Sequence, residues 1–264
     1  MNETNKRVIL LSASPKVDQA GAVSELLSKR GETQFINKQI DASLINVRRA
    51  ITHHETESAY ELMQNADAIV MVFPLYFFCL PGMLTRFLQD FAAKTPKSKQ
   101  DCAVFALVNC GFPEPEINLE ALRVVEQFAL QTGRSFGGGV MIGCGGMLIG
   151  TQEAPFMRPV MNEVDSLFTR VQHYLEDSST LESRVIAAAP KFPRKLYFLA
   201  GNAGWKSTAR KNHLKSKELY RTPYLSDYTK TNRRKFRRFV RFWVECDTLT
   251  DPVSFLSQRK RRLP

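Results

Sequence analysis

Little in this sequence suggests a secreted or metal-built protein. Its five cysteines, Cys79, Cys102, Cys110, Cys144 and Cys246, form no Cys-x-x-Cys pair and no ligand-like spacing. An odd, scattered set of thiols argues against a disulfide framework and fits a reducing compartment. Each is read first as a small buried hydrophobe. The opening "MNETNKRVILLS" offers four apolar residues before serine, too few for a secretory core, so a cytoplasmic protein is expected. The run Ala68–Leu84 is uncharged for 17 residues but is broken by Pro74, Pro81 and Gly82. A membrane span needs about 20 continuous residues, so this run reads as a buried strand followed by an apolar loop. His53 and His54 are adjacent, which throws their side chains onto different faces and argues against a metal site. Neither a Gly-Lys-Ser/Thr phosphate loop nor a Gly-x-Gly-x-x-Gly fingerprint is present, which removes the common nucleotide and dinucleotide motifs.

What is present is an ordinary soluble composition with a lopsided charge. Hydrophobic residues make up 44% and charged ones 24% of the 264 residues, enough for a sizeable core. The net charge of +11 is concentrated at one end. Residues 191–264 hold 20 Lys/Arg against 5 Asp/Glu, while residues 1–190 hold 17 against 21. A slightly acidic domain, placed at residues 1–178, therefore carries a basic extension, residues 179–264.

Three segments, Val8–Leu11, Ala68–Phe73 and Cys102–Val108, are apolar on both faces, as a parallel sheet covered on both sides requires. Gly138–Ile142 is a weaker strand, and Gln34–Ile36 a possible short one. Helical patterns fill the gaps: Val23–Arg30, Ile45–Gln64 with a break near His53, Met83–Ala93, Ile117–Gln131 and Met161–Leu175. Strands alternating with helices predict a doubly wound α/β fold. In such a sheet, ligands bind beyond the carboxyl ends of the strands. The informative residues are thus Ser12–Lys16, Pro74–Phe78, Asn109–Glu114 and Cys144–Met147.

The first of these loops leads into a helix whose free N–H groups and dipole favour an anion. The second, "PLYFFCLPG", sets Tyr76, Phe77 and Phe78 at a strand end. There they would face a flat aromatic ligand or a partner protein, or fold back into the core. The third, "NCGFPEPE", adds a polar Asn109, a flexible Gly111 and Phe112. The glycine runs Gly137–Gly139 and Gly143–Gly146 read first as tight turns and close backbone approach. A phosphate end, an aromatic wall and a polar edge describe a pocket for flavin mononucleotide (FMN).

Over roughly residues 7–150 the chain resembles the flavodoxin-like NADPH-dependent FMN reductase family. The resemblance is carried by "SASPK", "ADAIVMVFPLYFFCLPGMLTRFLQDF" and "NCGFPE...GGGVMIGCGGM", in that order. It implies a flavodoxin-like parallel sheet, FMN as cofactor and NAD(P)H as co-substrate. It also implies a small electron acceptor such as a quinone or another flavin, and a homodimer as a common assembly. Ser14, Pro15 and Lys16 match the phosphate loop. Pro74, Leu75, Tyr76 and Phe77 match the ring-binding loop, and Asn109, Cys110 and Gly111 match the third loop. The chemistry would belong to the flavin, so no catalytic side chain is nominated. One departure stands out: relatives place hydroxyl or amide side chains near the helix start, where this chain has Ala20, Gly21 and Ala22. The resemblance therefore also admits a non-enzymatic module of the same fold with a degraded phosphate site.

The segment Gly201–Tyr224 resembles an extension seen in longer bacterial relatives. Beyond it, "TNRRKFRRFVRFWVE" sets Phe236, Phe239, Val240 and Trp243 opposite arginines. Three readings stay open: a helix packed on the domain, a helix at an anionic membrane surface, or contact with nucleic acid or an acidic partner. No recognised motif supports nucleic acid.

Overall fold

The computed structural model describes residues 6–16, 22–95 and 101–220. The chain divides into two units, Met1–Arg194 and Lys195–Pro264. In the first, six strands form one all-parallel sheet in the order β2-β1-β3-β4-β5-β6. They are β1 (Arg7–Ser12), β2 (Asp41–Asn46), β3 (Ala68–Pro74), β4 (Ala103–Asn109), β5 (Ser135–Ile142) and β6 (Arg184–Ala188). The connecting helices are α1 (Val23–Asn37), α2 (Val47–Thr52), α3 (Thr56–Gln64), α4 (Gly82–Lys94), α5 (Leu119–Gln131) and α6 (Arg158–Glu176). The second unit contains α7, Arg194–Lys211, whose first residue closes unit one. The doubly wound, flavodoxin-like fold expected from the sequence is the fold observed.

The period-two geometry of a strand sorts the core onto two faces. Ile9, Leu11, Ile69, Met71, Phe73, Val104, Ala106 and Val108 meet α3, α4 and α5 on one side. Val8, Leu10, Val70, Val72, Phe105, Leu107, Val140 and Ile142 meet α1 and α6 on the other. On α6 the helically spaced apolar residues Met161, Val164, Leu167, Phe168, Val171 and Leu175 are all buried.

Four differences from the sequence reading have physical causes. Gln34–Ile36 is not a strand: α1 runs through it to Asn37, and the second strand follows at Asp41. Ile45 and Asn46 end that strand, so helix begins at Val47; the break expected near His53 does separate α2 from α3. The first turn of the α5 segment is a 3-10 turn, Pro115–Asn118, with proline at its start. Finally, the sheet takes in Arg184–Ala188, which sequence reading leaves to the extension. Both β2 and β6 are edge strands, paired on one side and largely unburied, so neither shows a doubly apolar run. At Gly138 the backbone has φ +84°, and an added Cβ would lie 2.1 Å from the Arg184 carbonyl. Backbone geometry therefore explains this glycine.

Candidate functional site

The strand order places the site. After β1 the chain crosses to β2 on one side, then returns to place β3 on the other. The carboxyl ends of β1 and β3 flank this topological switch point, where an open α/β sheet leaves a crevice. The first two loops emerge at those ends, and the third emerges beside them from β4.

In the first loop Ser14 is buried, and its hydroxyl accepts a hydrogen bond from the Lys16 N–H at 3.1 Å. Pro15 is half-buried and Lys16 exposed. The Ala13 N–H donates to the Val72 carbonyl at 2.9 Å, which fixes this loop to β3. Arg48, in the first turn of α2, donates to the Pro15 carbonyl. Sequence reading missed this cation; it stands far along the chain and reaches the loop because β2 lies beside β1. Ala20 and Gly21 lie outside the described residues. Ala22 is the N-cap of α1 and provides no side-chain acceptor to its first N–H groups.

The hydroxyls of Ser12, at the end of β1, and Ser24, in the first turn of α1, are buried and have no hydrogen-bond partner among the described residues. Such orphaned groups are uncommon, because a buried polar group without a partner costs free energy. An uncapped helix start between two unsatisfied hydroxyls fits an anionic group such as a phosphate. Sequence reading also misses Ser24, because the residues that stand out there are Ala20 and Ala22, four and two positions earlier.

In the second loop Pro74 and Leu75 are half-buried, with Leu75 packed against the core. Tyr76 and Cys79 exchange backbone hydrogen bonds at 2.9 and 3.0 Å, closing a two-residue turn. Its central residues, Phe77 and Phe78, both have positive φ, 48° and 61°. That arrangement ordinarily selects Asn-Gly; in bulky residues it is strained. The strain holds aromatic surface outward: Tyr76 is 41%, Phe77 97% and Phe78 60% exposed. Phe77 and Phe78 do not fold back into the core.

The third loop is bound to the second. The Leu75 N–H donates to the Asn109 carbonyl at 2.8 Å, and Asn109 Nδ2 donates to the Phe73 carbonyl at 3.3 Å. Phe78 and Phe112 stack, with ring centroids 6.4 Å apart and planes 16° from parallel. Asn109 and Cys110 are buried, whereas Gly111 is exposed. Burial pushes the Cys110 thiol up from its ordinary range, so it stays protonated. The Cys144–Met147 loop supports this arrangement from behind: the Gly145 N–H donates to the Cys110 carbonyl at 2.7 Å. A Cβ on Gly145 would lie 2.7 Å from Asn109 Oδ1. Its glycine is explained by packing under the third loop.

Among the described residues no group of His, Cys, Asp or Glu could hold a metal ion. The stretch Thr231–Glu245 lies outside the described residues.

No curated protein matches the sequence. A flavone reductase structure superposes with a TM-score of 0.53 at 10% identity, over 93% of this chain and 99% of that one. General stress protein 14 from Treponema denticola, in complex with FMN, gives 0.44 at 18% identity, over 65% and 98%. An azoreductase from Bacillus anthracis gives 0.47 at 14% identity, over 62% and 98%. At such identities only the first bears on the argument, and it speaks to the fold. The family evidence comes from the sequence: residues 6–111, which span the first two loops and reach into the third at Gly111, match the family model of the NADPH-dependent FMN reductases, and over that segment the resemblance read from the motifs holds.

Proposed function

We propose that this protein is an FMN-dependent NAD(P)H oxidoreductase that passes reducing equivalents to a small acceptor such as a quinone or another flavin. The observation that carries the reading is the juxtaposition at the switch point. Buried hydroxyls of Ser12 and Ser24, without a partner among the described residues, flank one loop, and outward-held Tyr76, Phe77 and Phe78 form the next.

Bound here, FMN would supply the hydride and electron transfer between a nicotinamide and the acceptor. The protein's part is to bind, orient and exclude water. Ser14, Pro15 and Lys16, joined by Ser24, hold the phosphate: a lysine charge and helix N–H groups stabilise a dianion. Pro74, Leu75, Tyr76 and Phe77 offer flat apolar surface to the ring system. Asn109, fixed by the Phe73 carbonyl, sets the third loop. Cys110 and Gly111 would then offer backbone to the ring system. The protonated, buried Cys110 is no nucleophile, and the reaction requires none.

The test is reconstitution of the purified chain with FMN, followed by NADPH oxidation with a quinone present. Visible flavin absorbance with FMN-dependent turnover is expected, weakened by Tyr76→Ala with Phe77→Ala. Absence of both binding and turnover would refute the enzyme and leave the non-enzymatic module.

A further inference from the structure

Arg170, on α6, lines a cavity of about 390 Å³ at the amino-terminal end of the sheet. Its Nη1 donates to the carbonyls of Gly137, at 3.4 Å, and Arg184, at 3.1 Å, and so ties α6 to the starts of β5 and β6. The Nε and Nη2 groups are buried and have no hydrogen-bond partner among the described residues. Burial pulls the guanidinium below its ordinary pKa range, and two unmade hydrogen bonds add to the cost of keeping a cation there. Gly137 stands five residues before Ile142, the last residue of β5. The cavity therefore lies about 16 Å down the sheet from the level of the candidate flavin site.

The open edge of this guanidinium has its own chemistry. Nε and Nη2 present parallel N–H bonds, a fork that matches the two oxygens of a carboxylate. Arg30 uses the same edge in this chain, donating from Nε to Asp165 Oδ1 at 2.6 Å and from Nη2 to Oδ2 at 2.8 Å. The rest of the wall selects among anions. Glu176, Asp177 and Glu182 line the cavity as well, and Asp177 already accepts from the Ser179 N–H at 2.9 Å. Three carboxylates repel a phosphate dianion and attract an ammonium group. Phe105 and Leu181 add apolar surface. The volume falls at the lower end of small-molecule sites, about 300–1,000 Å³. A carboxylate, an ammonium and an apolar body in one small molecule describe an amino acid.

We propose that this cavity is a small-molecule site separate from the flavin site. It takes an apolar α-amino acid, with the carboxylate on the Nε–Nη2 edge of Arg170, the ammonium against Glu176 and Glu182, and the side chain on Phe105 and Leu181. Nη1 is the one anchored nitrogen of Arg170, so the guanidinium can turn its covered edge to the ligand as it enters past the exposed Thr180 and Glu182.

The test uses the full chain and L-phenylalanine as the probe. Titration calorimetry reads affinity. Nitrogen-15 labelling of arginine locates the ligand through the Arg170 Nε–H signal, assigned by its loss in Arg170→Lys. Expected are binding at about millimolar concentration and a saturating shift of that signal. Arg170→Lys, which keeps the charge without the fork, should bind about tenfold or more weakly. Phenethylamine, which lacks the carboxylate, should bind the wild type as poorly. Glu176→Gln with Glu182→Gln should weaken L-phenylalanine about fivefold, while 3-phenylpropionate, which lacks the ammonium, loses nothing. Both glutamates are exposed, so this pair carries the test should Arg170→Lys fail to fold. Absence of binding at about tenfold that concentration would overturn the proposal. So would L-phenylalanine binding that leaves the Arg170 signal unmoved. Inorganic phosphate binding as tightly as L-phenylalanine would overturn it too, because the site would then hold any anion. FMN titrated in parallel should leave the Arg170 signal in place, so the two sites stand or fall separately.

Discussion

Replacing Phe77 with glycine should make the free protein more stable while weakening its hold on the flavin. A non-glycine residue in the left-handed region costs about 1–2 kcal/mol, and Phe77 sits there with φ 48°. At 97% exposure it has almost no burial to lose. Glycine returns about 0.5–1 kcal/mol of this through the extra freedom of the unfolded chain, which leaves a gain of about 0.5–1 kcal/mol. For a domain of this size that is a rise of about 1–4 °C in Tm. Phe77→Ala is the control, since alanine keeps the strain and should leave Tm nearly unchanged. Calorimetry of the cofactor-free protein reads the first effect. An FMN fluorescence-quenching titration reads the second, where loss of one aromatic contact of about 0.5–1.5 kcal/mol weakens binding about threefold to tenfold. If both variants instead lost the roughly 3–5 kcal/mol of a buried aromatic truncation, the side chain would be core. If glycine raised Tm without touching FMN affinity, the turn would be strained for some purpose other than the flavin.

Ser24→Ala should weaken FMN by about tenfold to a hundredfold, the worth of a hydrogen bond to a charged group, and leave riboflavin, which lacks the phosphate, unchanged in a parallel titration. Ala22→Ser should tighten FMN and again not riboflavin; equal gains for both ligands would mean that the loop does not hold the phosphate. Burial raises the Cys102 and Cys144 thiols from 9.0 to about 11. The stability tied to their neutral forms is therefore complete below about pH 9 and is lost as the pH climbs through about 11, and Cys102→Ala should flatten that alkaline fall in denaturant midpoint. Mass spectrometry after alkylation near neutral pH should find half-buried Cys79 modified ahead of buried Cys102 and Cys144. Gly138→Ala should cost about 2 kcal/mol or more in chemical denaturation, because positive φ and the close Arg184 carbonyl both oppose a side chain.

Much of the sheet was legible because its inner strands are buried on both faces. Ala68–Pro74 and Ala103–Asn109 have neighbours on each side and helices above and below. Apart from Asn109 at the carboxyl end, these strands are apolar throughout, and an unbroken apolar run is hard to mistake. The edge strands have no such constraint. Asp41–Asn46 and Arg184–Ala188 are open along one edge, so their polar residues are tolerated and their pattern resembles that of a loop. Gln34–Ile36 differs for another reason, since it lies inside α1. The tripeptide alone is β-like, but in its tertiary setting Phe35 is a core residue of a helix, edge-on to Phe168 at 5.6 Å.

The candidate site divides in the same way, between what one loop can say of itself and what only assembly reveals. Tyr76, Phe77 and Phe78 announce themselves, because three aromatic side chains at the end of a buried strand need a physical reason. Their outward direction does not follow from composition; it follows from two successive positive φ angles that the flanking Tyr76–Cys79 hydrogen bonds impose. At the other end, the alanines before α1 suggested a loop stripped of donors. Proximity along the sequence does not decide this, because an anion is held by whatever converges in space. Ser12 lies before the loop and Ser24 after it, and Arg48 arrives from the neighbouring strand's helix. The relevant question is which donors near the switch point have no acceptor of their own. Among the described residues the hydroxyls of Ser12 and Ser24 answer it, which is why the decisive comparison is between FMN and riboflavin on Ser24→Ala.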